Sequence, residues 1–295
     1  MNERELEDQI RSLYGEVDWT RARGILHVMA IADPADAVIA IGPAAPRSKI
    51  DRFVLGFARA RCESILTTGS ILRAEPMLDH RYADDAETNE SFVRWRRKTL
   101  GLEETPALLI VSRSGELPED HPALRFARAG MIWTSKAGRE KLGPSAGRLA
   151  VEAGIGSSGG SFVEMAAANE TAINETATAS AMTAASMAGS LGMLLRRARS
   201  EFHAQTVLIE AGPKVSSEFY RRPRIGCPRL DELLLSRFEG TLEREAIGPR
   251  FEAMAQIGEL FPDAPTSRRV EAASGVWSFD RYRACVSDES CDRET

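Results

Sequence analysis

The segment at residues 207–213 constrains the fold of this chain more than any other. It reads VLIEAGP, which indicates a short buried strand, a carboxylate, and a glycine–proline turn before a helix predicted over residues 214–220. Open α/β sheets bind ligands at the carboxyl ends of their strands, and glycine turns there present backbone N–H groups to phosphates. A second segment of this kind, ILTTGSILRAEP at residues 65–76, lies about 140 residues earlier. Together they predict an α/β protein with a ligand site at this edge of its sheet.

Apolar runs and turn signals along the chain predict alternating strands and helices. Ser48 is a predicted helix cap, and a further helix is predicted over residues 87–100, with a basic face at Arg94, Arg96, Arg97 and Lys98. Leu191, Leu194, Leu195, Ala198 and Phe202 are spaced as one face of another helix. The predicted strands are residues 25–31, 37–41, 64–67, 106–112, 130–134, 206–209, 232–238, 269–273 and 276–283. This mixed order, with a pair of strands at the carboxyl end, predicts one α/β domain.

Composition limits the function classes. The chain has 295 residues, of which 43% are hydrophobic and 27% charged, as in ordinary globular proteins. Its net charge of −5 argues against a nucleic-acid surface. It has no signal-like start and no apolar run of roughly 20 residues that could span a bilayer. Its four scattered cysteines lack a CxxC pair, which argues against a disulfide framework or a zinc site. A cytoplasmic protein without a bound metal is therefore expected.

The predicted domain spans residues 25–284, after a polar lead-in at 1–24 and before a polar tail at 285–295. Within it, residues 154–189 form an insert rich in Ala, Ser, Thr and Gly. The insert begins with GIGSSG at 154–159, which fits the GxGxxG pattern of a dinucleotide-binding loop. No strand ending in Asp or Glu follows about 20 residues later, so a glycine–serine loop without that role is favoured.

Several polar residues follow predicted strands and have both a functional and a purely structural interpretation. Ser112, Arg113 and Ser114 have the hydroxyls and the guanidinium that would suit the 2′-phosphate of NADP, or they form a solvated loop. Arg59 and Arg81 could neutralise a substrate phosphate, although surface arginines are common. The histidines lack metal-ligand spacing, and no nucleophile motif of a hydrolase is present.

A set of short motifs follows one another along nearly the whole chain, from about residue 25 to 283. These motifs are AIADP at 30–34, SKIDR at 48–52, ARA at 58–60, GSILRAEP at 69–76, the strand end at Ser112, EAGP at 210–213, DEL at 231–233 and SGVWSFDRYR at 274–283. Their order and spacing resemble the reductase domain of bacterial riboflavin biosynthesis, a family of pyrimidine reductases with a dihydrofolate-reductase-like fold.

This resemblance implies a mixed, mostly parallel sheet flanked by helices, with a C-terminal antiparallel strand pair. It also implies hydride transfer from NADPH to a heterocyclic substrate, and a homodimer formed through the late strands. The implied cofactor-binding residues are Ser70, Ala74, Ser112, Gly212, Pro213 and Lys214. The implied substrate-binding residues are Arg59, Leu78, Arg81 and Glu210, and the implied catalytic residues are Glu210 and Asp33.

The chain departs from the family pattern at several positions. Pro34 replaces a glycine, His27 stands where many members have lysine, Ser70 replaces a threonine, and Ala74 replaces the first of two acids. Ala211 replaces a glycine, and it would be strained if that position required a positive φ. Two alternatives therefore remain beside the reductase: a non-catalytic scaffold that keeps the fold, and a Rossmann-type dehydrogenase that uses the loop at 154–159.

Overall fold

The computed structural model describes residues 1–16, 19, 24–40, 42, 44–118, 120–134, 138, 141–142, 179–221, 229–272 and 275–284. Between residues 179 and 190 it describes the backbone alone. The GxGxxG loop at 154–159 and most of the insert therefore lie outside the described residues. So do Ser135 and Lys136, polar residues that follow the strand predicted at 130–134, and three of the four cysteines, Cys227, Cys285 and Cys291.

The described strands form one twisted mixed sheet in the order β5-β4-β3-β6-β1-β7-β10-β9. The first six strands in this order are parallel, and β10 and β9 continue the sheet antiparallel. The short strands β2 and β8 pair antiparallel beside β1. Strand bounds are β1 Gly24–Ala32, β2 Ala37–Ile39, β3 Ser64–Thr68, β4 Ala107–Ser112, β5 Gly130–Thr134, β6 Thr206–Ile209, β7 Glu232–Glu239, β8 Ile247–Arg250, β9 Thr266–Ala272 and β10 Gly275–Arg283. The expected mostly parallel sheet with a C-terminal antiparallel strand pair is confirmed.

Helices cover both faces of the sheet because alternate strand residues point to opposite faces. In β1, Leu26 belongs to the core under α1, α2 and α4, while Ile25 belongs to the core under α6 and α8. Helix bounds are α1 Glu3–Tyr14, α2 Lys49–Arg61, α3 Gly69–Ala74, α4 Ala86–Lys98, α5 Pro122–Phe126, α6 Ala179–Phe202, α7 Pro213–Ser216 and α8 Met254–Leu260, with 3-10 turns at Ser217–Tyr220 and Arg244–Ala246.

The local signals place α2 correctly. The Ser48 hydroxyl accepts a hydrogen bond from the Asp51 backbone N–H at 3.1 Å, which is the predicted cap. The helix predicted over residues 214–220 is instead one turn of α7 followed by a 3-10 turn. The strand predicted over 37–41 ends at Ile39.

Two tertiary contacts change the interpretation of polar segments. Arg96, assigned to a basic helix face, is buried and donates to the carbonyls of Ala60 and Cys62 at 2.9 and 2.6 Å. It satisfies carbonyls at the end of α2 that would otherwise be left without donors. The polar segment at residues 1–24 contains α1, which places Leu6 and Ile10 in the same core as α2.

No described helix is long and apolar enough to cross a bilayer. In the part of the chain that the structure describes, no group of three or more His, Cys, Asp or Glu side chains could hold a metal ion.

Candidate active site at the carboxyl edge of the sheet

The parallel strands bring the predicted site residues to one edge of the sheet. In the ladders Thr68 pairs with Val111, and Ser112 pairs with Thr134. β6 is short, so Glu210 follows directly after it, and its backbone N–H donates to Leu66 of β3 at 2.9 Å. Residues after β3, β4 and β6 therefore come together although they lie far apart in the sequence.

Arg59 and Glu210 form a bidentate ion pair at this edge. Arg59 Nε and Nη2 each donate to one Glu210 carboxylate oxygen at 2.7 Å, and Arg59 Nη1 donates to the Arg81 carbonyl at 2.7 Å. The side chains are only 7% and 12% exposed. Burial alone would raise the pKa of Glu210, but the Arg59 guanidinium outweighs it and lowers that pKa. Glu210 is therefore a fixed, ionised carboxylate.

His80 lies beside this pair, although no sequence motif assigned it a function. Its Nε2 is 3.9 Å from Glu210 Oε2, and neither ring nitrogen has a hydrogen-bond partner among the described residues. Its φ of +57° is uncommon for a residue other than glycine. Burial lowers the pKa of His80 to about 4, so the ring is neutral near pH 7.

Glu75, at the end of α3, is a second carboxyl in this region. Its backbone carbonyl accepts a hydrogen bond from His121 Nε2 at 2.8 Å, which fixes the end of the helix. Burial first, and then the negative charge of Glu210, raise the pKa of Glu75. The pKa values of the two carboxyls are therefore shifted in opposite directions.

The predicted cofactor residues after β3 and β4 are adjacent. The Ser70 hydroxyl is exposed and lies 2.8 Å from the Thr68 hydroxyl, which caps α3. A Cβ at Gly69 would come within 2.6 Å of Ser112 Oγ, so the close approach of these two strands requires glycine there. Ala74, at the other end of α3, is exposed.

The turn after β6 is open to solvent. No described atom lies within 4 Å of the position where a Cβ at Gly212 would lie, and its φ is −60°. Pro213 is half-buried and Lys214 is exposed. Ala211 does not have a positive φ, so alanine is unstrained there.

Three other predicted residues lie around this region in different environments. Arg81 is half-exposed and pairs with Asp79 at 2.5 Å, while Leu78 packs partly against the core. Asp33 is more distant. His27 pairs with Ile209, so Asp33 lies about 16 Å further along the sheet than Glu210 at 3.3 Å per residue. Asp33 and Glu210 therefore do not form a carboxylate pair.

His27, which stands where many family members have lysine, is buried on the opposite face. Its Nδ1 lies 2.6 Å from the Tyr220 hydroxyl, and its ring packs against Phe251. Burial lowers its pKa to about 3, so it supplies no positive charge.

No protein-family model matches the sequence, and the comparison with curated proteins found no match. Solved structures do match. A pyrimidine reductase-like protein of Corynebacterium diphtheriae is 15% identical, with 94% of this chain and 98% of that chain covered and a TM-score of 0.54. RibD of Acinetobacter baumannii is 16% identical, with 89% of this chain but 58% of that chain covered and a TM-score of 0.52. At these identities the likeness shows the fold alone: this chain has the fold of the pyrimidine reductase-like proteins, the dihydrofolate-reductase-like fold that the sequence resemblance implied.

Proposed function

We propose that this protein is an NADPH-dependent reductase of a pyrimidine- or pterin-like heterocycle. The specific candidate is the phosphoribosylamino-pyrimidine intermediate of riboflavin biosynthesis. The observation that carries the proposal is the buried Arg59–Glu210 pair at the carboxyl edge of the sheet, with the unpaired polar ring of His80 beside it. Open α/β sheets bind ligands at this edge.

The residues around this edge fit a dinucleotide. No described atom lies within 4 Å of the Cβ position of Gly212, which leaves space for a phosphate oxygen beside the backbone, and the buried Thr134 hydroxyl has no partner among the described residues. Ser70, Ser112, Gly212, Pro213 and Lys214 are the proposed contacts, with Lys214 supplying a positive charge. Ala74 would contribute packing alone, since it stands where the family pattern has an acid.

The chain's own residues have separate roles in this proposal. NADPH, when bound, supplies the hydride. Arg59 holds Glu210 ionised and fixed, so that Glu210 orients N–H groups of the substrate. Glu75 is the proposed source of the proton, because it is a half-buried carboxyl within electrostatic reach of the Arg59–Glu210 pair and its pKa is raised, not lowered. Leu78 and Arg81 would line the substrate side, with Arg81 near a substrate phosphate. Asp33 lies too far along the sheet to share the reacting atoms with Glu210.

Titration with NADPH, and separately with NADH, followed by nicotinamide fluorescence, tests the proposal. The expected result is micromolar binding of NADPH that is lost in Gly212→Asp, because a carboxylate there would fill the phosphate space. Gly258→Asp is the matched control: Gly258 likewise has open space at its Cβ position, is exposed, and lies in α8. This control should bind NADPH as the wild type does.

Other outcomes favour other functions. Binding of neither cofactor at millimolar concentration would contradict the reductase and favour a non-catalytic scaffold with this fold. Loss of binding in a Gly156 variant, with normal binding in Gly212→Asp, would favour a dehydrogenase that uses the loop at 154–159. A homodimer is also proposed, through the late strands. β9 is an edge strand with mostly exposed residues, and sedimentation analysis would measure the association.

A further inference from the structure

His80 is placed as a ligand-binding residue would be. Its side chain is only 7% exposed, yet both ring nitrogens lack a hydrogen-bond partner among the described residues. Burying an unpaired polar group costs free energy, and so does a positive φ at a residue other than glycine. Two such costs at one position beside an ion pair indicate a role outside the packing of the core.

The neighbours of His80 determine which ring nitrogen is the acceptor. Nε2 faces the ionised Glu210 carboxylate at 3.9 Å, and this negative charge favours the hydrogen on Nε2. The lone pair is then on Nδ1, and a neutral imidazole accepts hydrogen bonds at that nitrogen. Arg59, His121 and Asp79 also act on the ring, but burial is the largest influence and keeps it neutral near pH 7.

We propose that His80 contacts the heterocyclic substrate directly, accepting a hydrogen bond at Nδ1 from a substrate N–H while Nε2–H points to Glu210. Both ring nitrogens are covered by protein atoms in this structure, so the substrate must displace that cover to reach Nδ1. His80 would then select heterocycles that carry an N–H at this position and reject those alkylated there. This inference rests on the proposed function for the identity of the ligand.

Calorimetric titration of the whole chain with 5,6-diaminouracil, alone and with NADPH present, tests the contact. His80→Gly removes the ring, and His80→Asn keeps a shorter polar side chain; both residues tolerate a positive φ, so the fold is expected to persist. His203→Gly is the matched control, because His203 has a φ of +53° but is exposed and precedes the opposite end of β6.

We expect His80→Gly to bind diaminouracil about tenfold more weakly, the loss of one hydrogen bond to a buried ligand. His80→Asn should fall between His80→Gly and the wild type, and His203→Gly should equal the wild type. The affinity for NADPH should be unchanged in all three. Nitrogen-15 NMR of the ring nitrogens at pH 7 should show His80 neutral with its hydrogen on Nε2. The His80→Gly spectrum identifies its signals among those of the four histidines.

Failure of this inference differs from failure of the proposed function. If the wild type binds NADPH but the His80 variants bind diaminouracil equally well, or if the wild type binds no diaminouracil, His80 has no such contact and cofactor binding stands. A hydrogen on Nδ1 would also overturn the inference. If the wild type binds neither probe, the proposed function is overturned and this inference with it.

Discussion

Two buried arginine–glutamate clusters, both built from the last turn of α2, have different surroundings. Arg59 pairs with Glu210 after β6, whereas Arg61 pairs with Glu232 at the start of β7 through two hydrogen bonds of 2.9 Å. β6 and β7 lie on either side of β1. Because the two arginines are two residues apart, they leave the helix in different directions.

The Glu232 cluster has more partners around its carboxylate, although the buried Arg61 Nε has none among the described residues. Arg281 also donates to Glu232 at 2.7 Å, and the guanidiniums of Arg61 and Arg281 lie 4.7 and 4.4 Å from the ring centroid of Trp19. By contrast, the Arg59–Glu210 pair has the unpaired ring of His80 beside it. We therefore interpret the Arg61–Glu232 pair, whose carboxylate accepts from a second guanidinium, as core, and the Arg59–Glu210 pair, which has beside it a whole imidazole without hydrogen-bond partners among the described residues, as a candidate site.

The largest expected loss of stability is in the Glu232 cluster. Glu232→Gln would leave two buried guanidiniums without their anion and should lower the free energy of unfolding by about 3–5 kcal/mol, measured by urea denaturation. Glu239→Gln is the control on the same strand, since Glu239 pairs with the half-exposed Arg269 and should cost less than about 1 kcal/mol. Equal losses in the two variants would contradict the distinction.

Lowering the pH should reduce the stability contributed by the two regions over different pH ranges. The pKa of His80 in the folded protein is about 4, below its ordinary value. As the pH falls below about 6.5, the unfolded chain gains a proton first, and the folded state loses about 3 kcal/mol by pH 4. His80→Asn should remove this loss. The free energy of unfolding of the variant, relative to that of the wild type, should therefore increase as the pH falls from 7 to 4. Urea titrations at both values measure it; a constant difference would refute it.

The stability contributed by the Glu232 cluster should be lost at a lower pH than that linked to His80. The pKa of Glu232 is lowered to about 2 because Arg61 and Arg281 outweigh the effect of burial. Its stabilisation is present above its ordinary pKa and is lost as the pH falls toward about 2. Below pH 4 the free energy of unfolding should therefore fall less steeply with pH in Glu232→Gln than in the wild type. In His80→Asn it should fall as steeply as in the wild type.

Glu210→Gln should cost less stability than Glu232→Gln, about 2 kcal/mol. One guanidinium is left instead of two, and Arg59 keeps its hydrogen bond to the Arg81 carbonyl. Its binding of diaminouracil should nevertheless fall at least tenfold, while folded Glu232→Gln binds normally. The variant that loses less stability should thus lose more binding, which calorimetry on the folded proteins measures. Normal binding by Glu210→Gln would show that Glu210 does not belong to the site.

The smallest expected effect is at Trp19. Trp19→Leu removes the aromatic face over Arg61 and Arg281 and should cost about 1–2 kcal/mol, since the hydrogen bonds to Glu232 remain. Cofactor binding should not change. A loss as large as that of Glu232→Gln would mean that the ring, not the carboxylate, holds this cluster together.

Local sequence signals predicted most of the sheet and the edge of the sheet at which Glu210 and Ser112 lie. Hydrophobic runs located the strands of the parallel sheet, and Ser48 marked the start of α2, because these depend on periodicity and capping within a few residues. Strand β8 and helix α8 were missed. β8 is mostly exposed and contains a proline, so its pairing with β2 has no apolar signature.

The sequence by itself determined that Glu210 and Ser112 follow strands of a mostly parallel sheet, and hence that they meet at its carboxyl edge. Only the tertiary structure decided that Arg96 is buried, that Asp33 lies about 16 Å along the sheet from Glu210, and that His80 borders the ion pair. Periodicity is a property of neighbouring residues, whereas the surroundings of a charge depend on segments that packing brings together from distant parts of the chain.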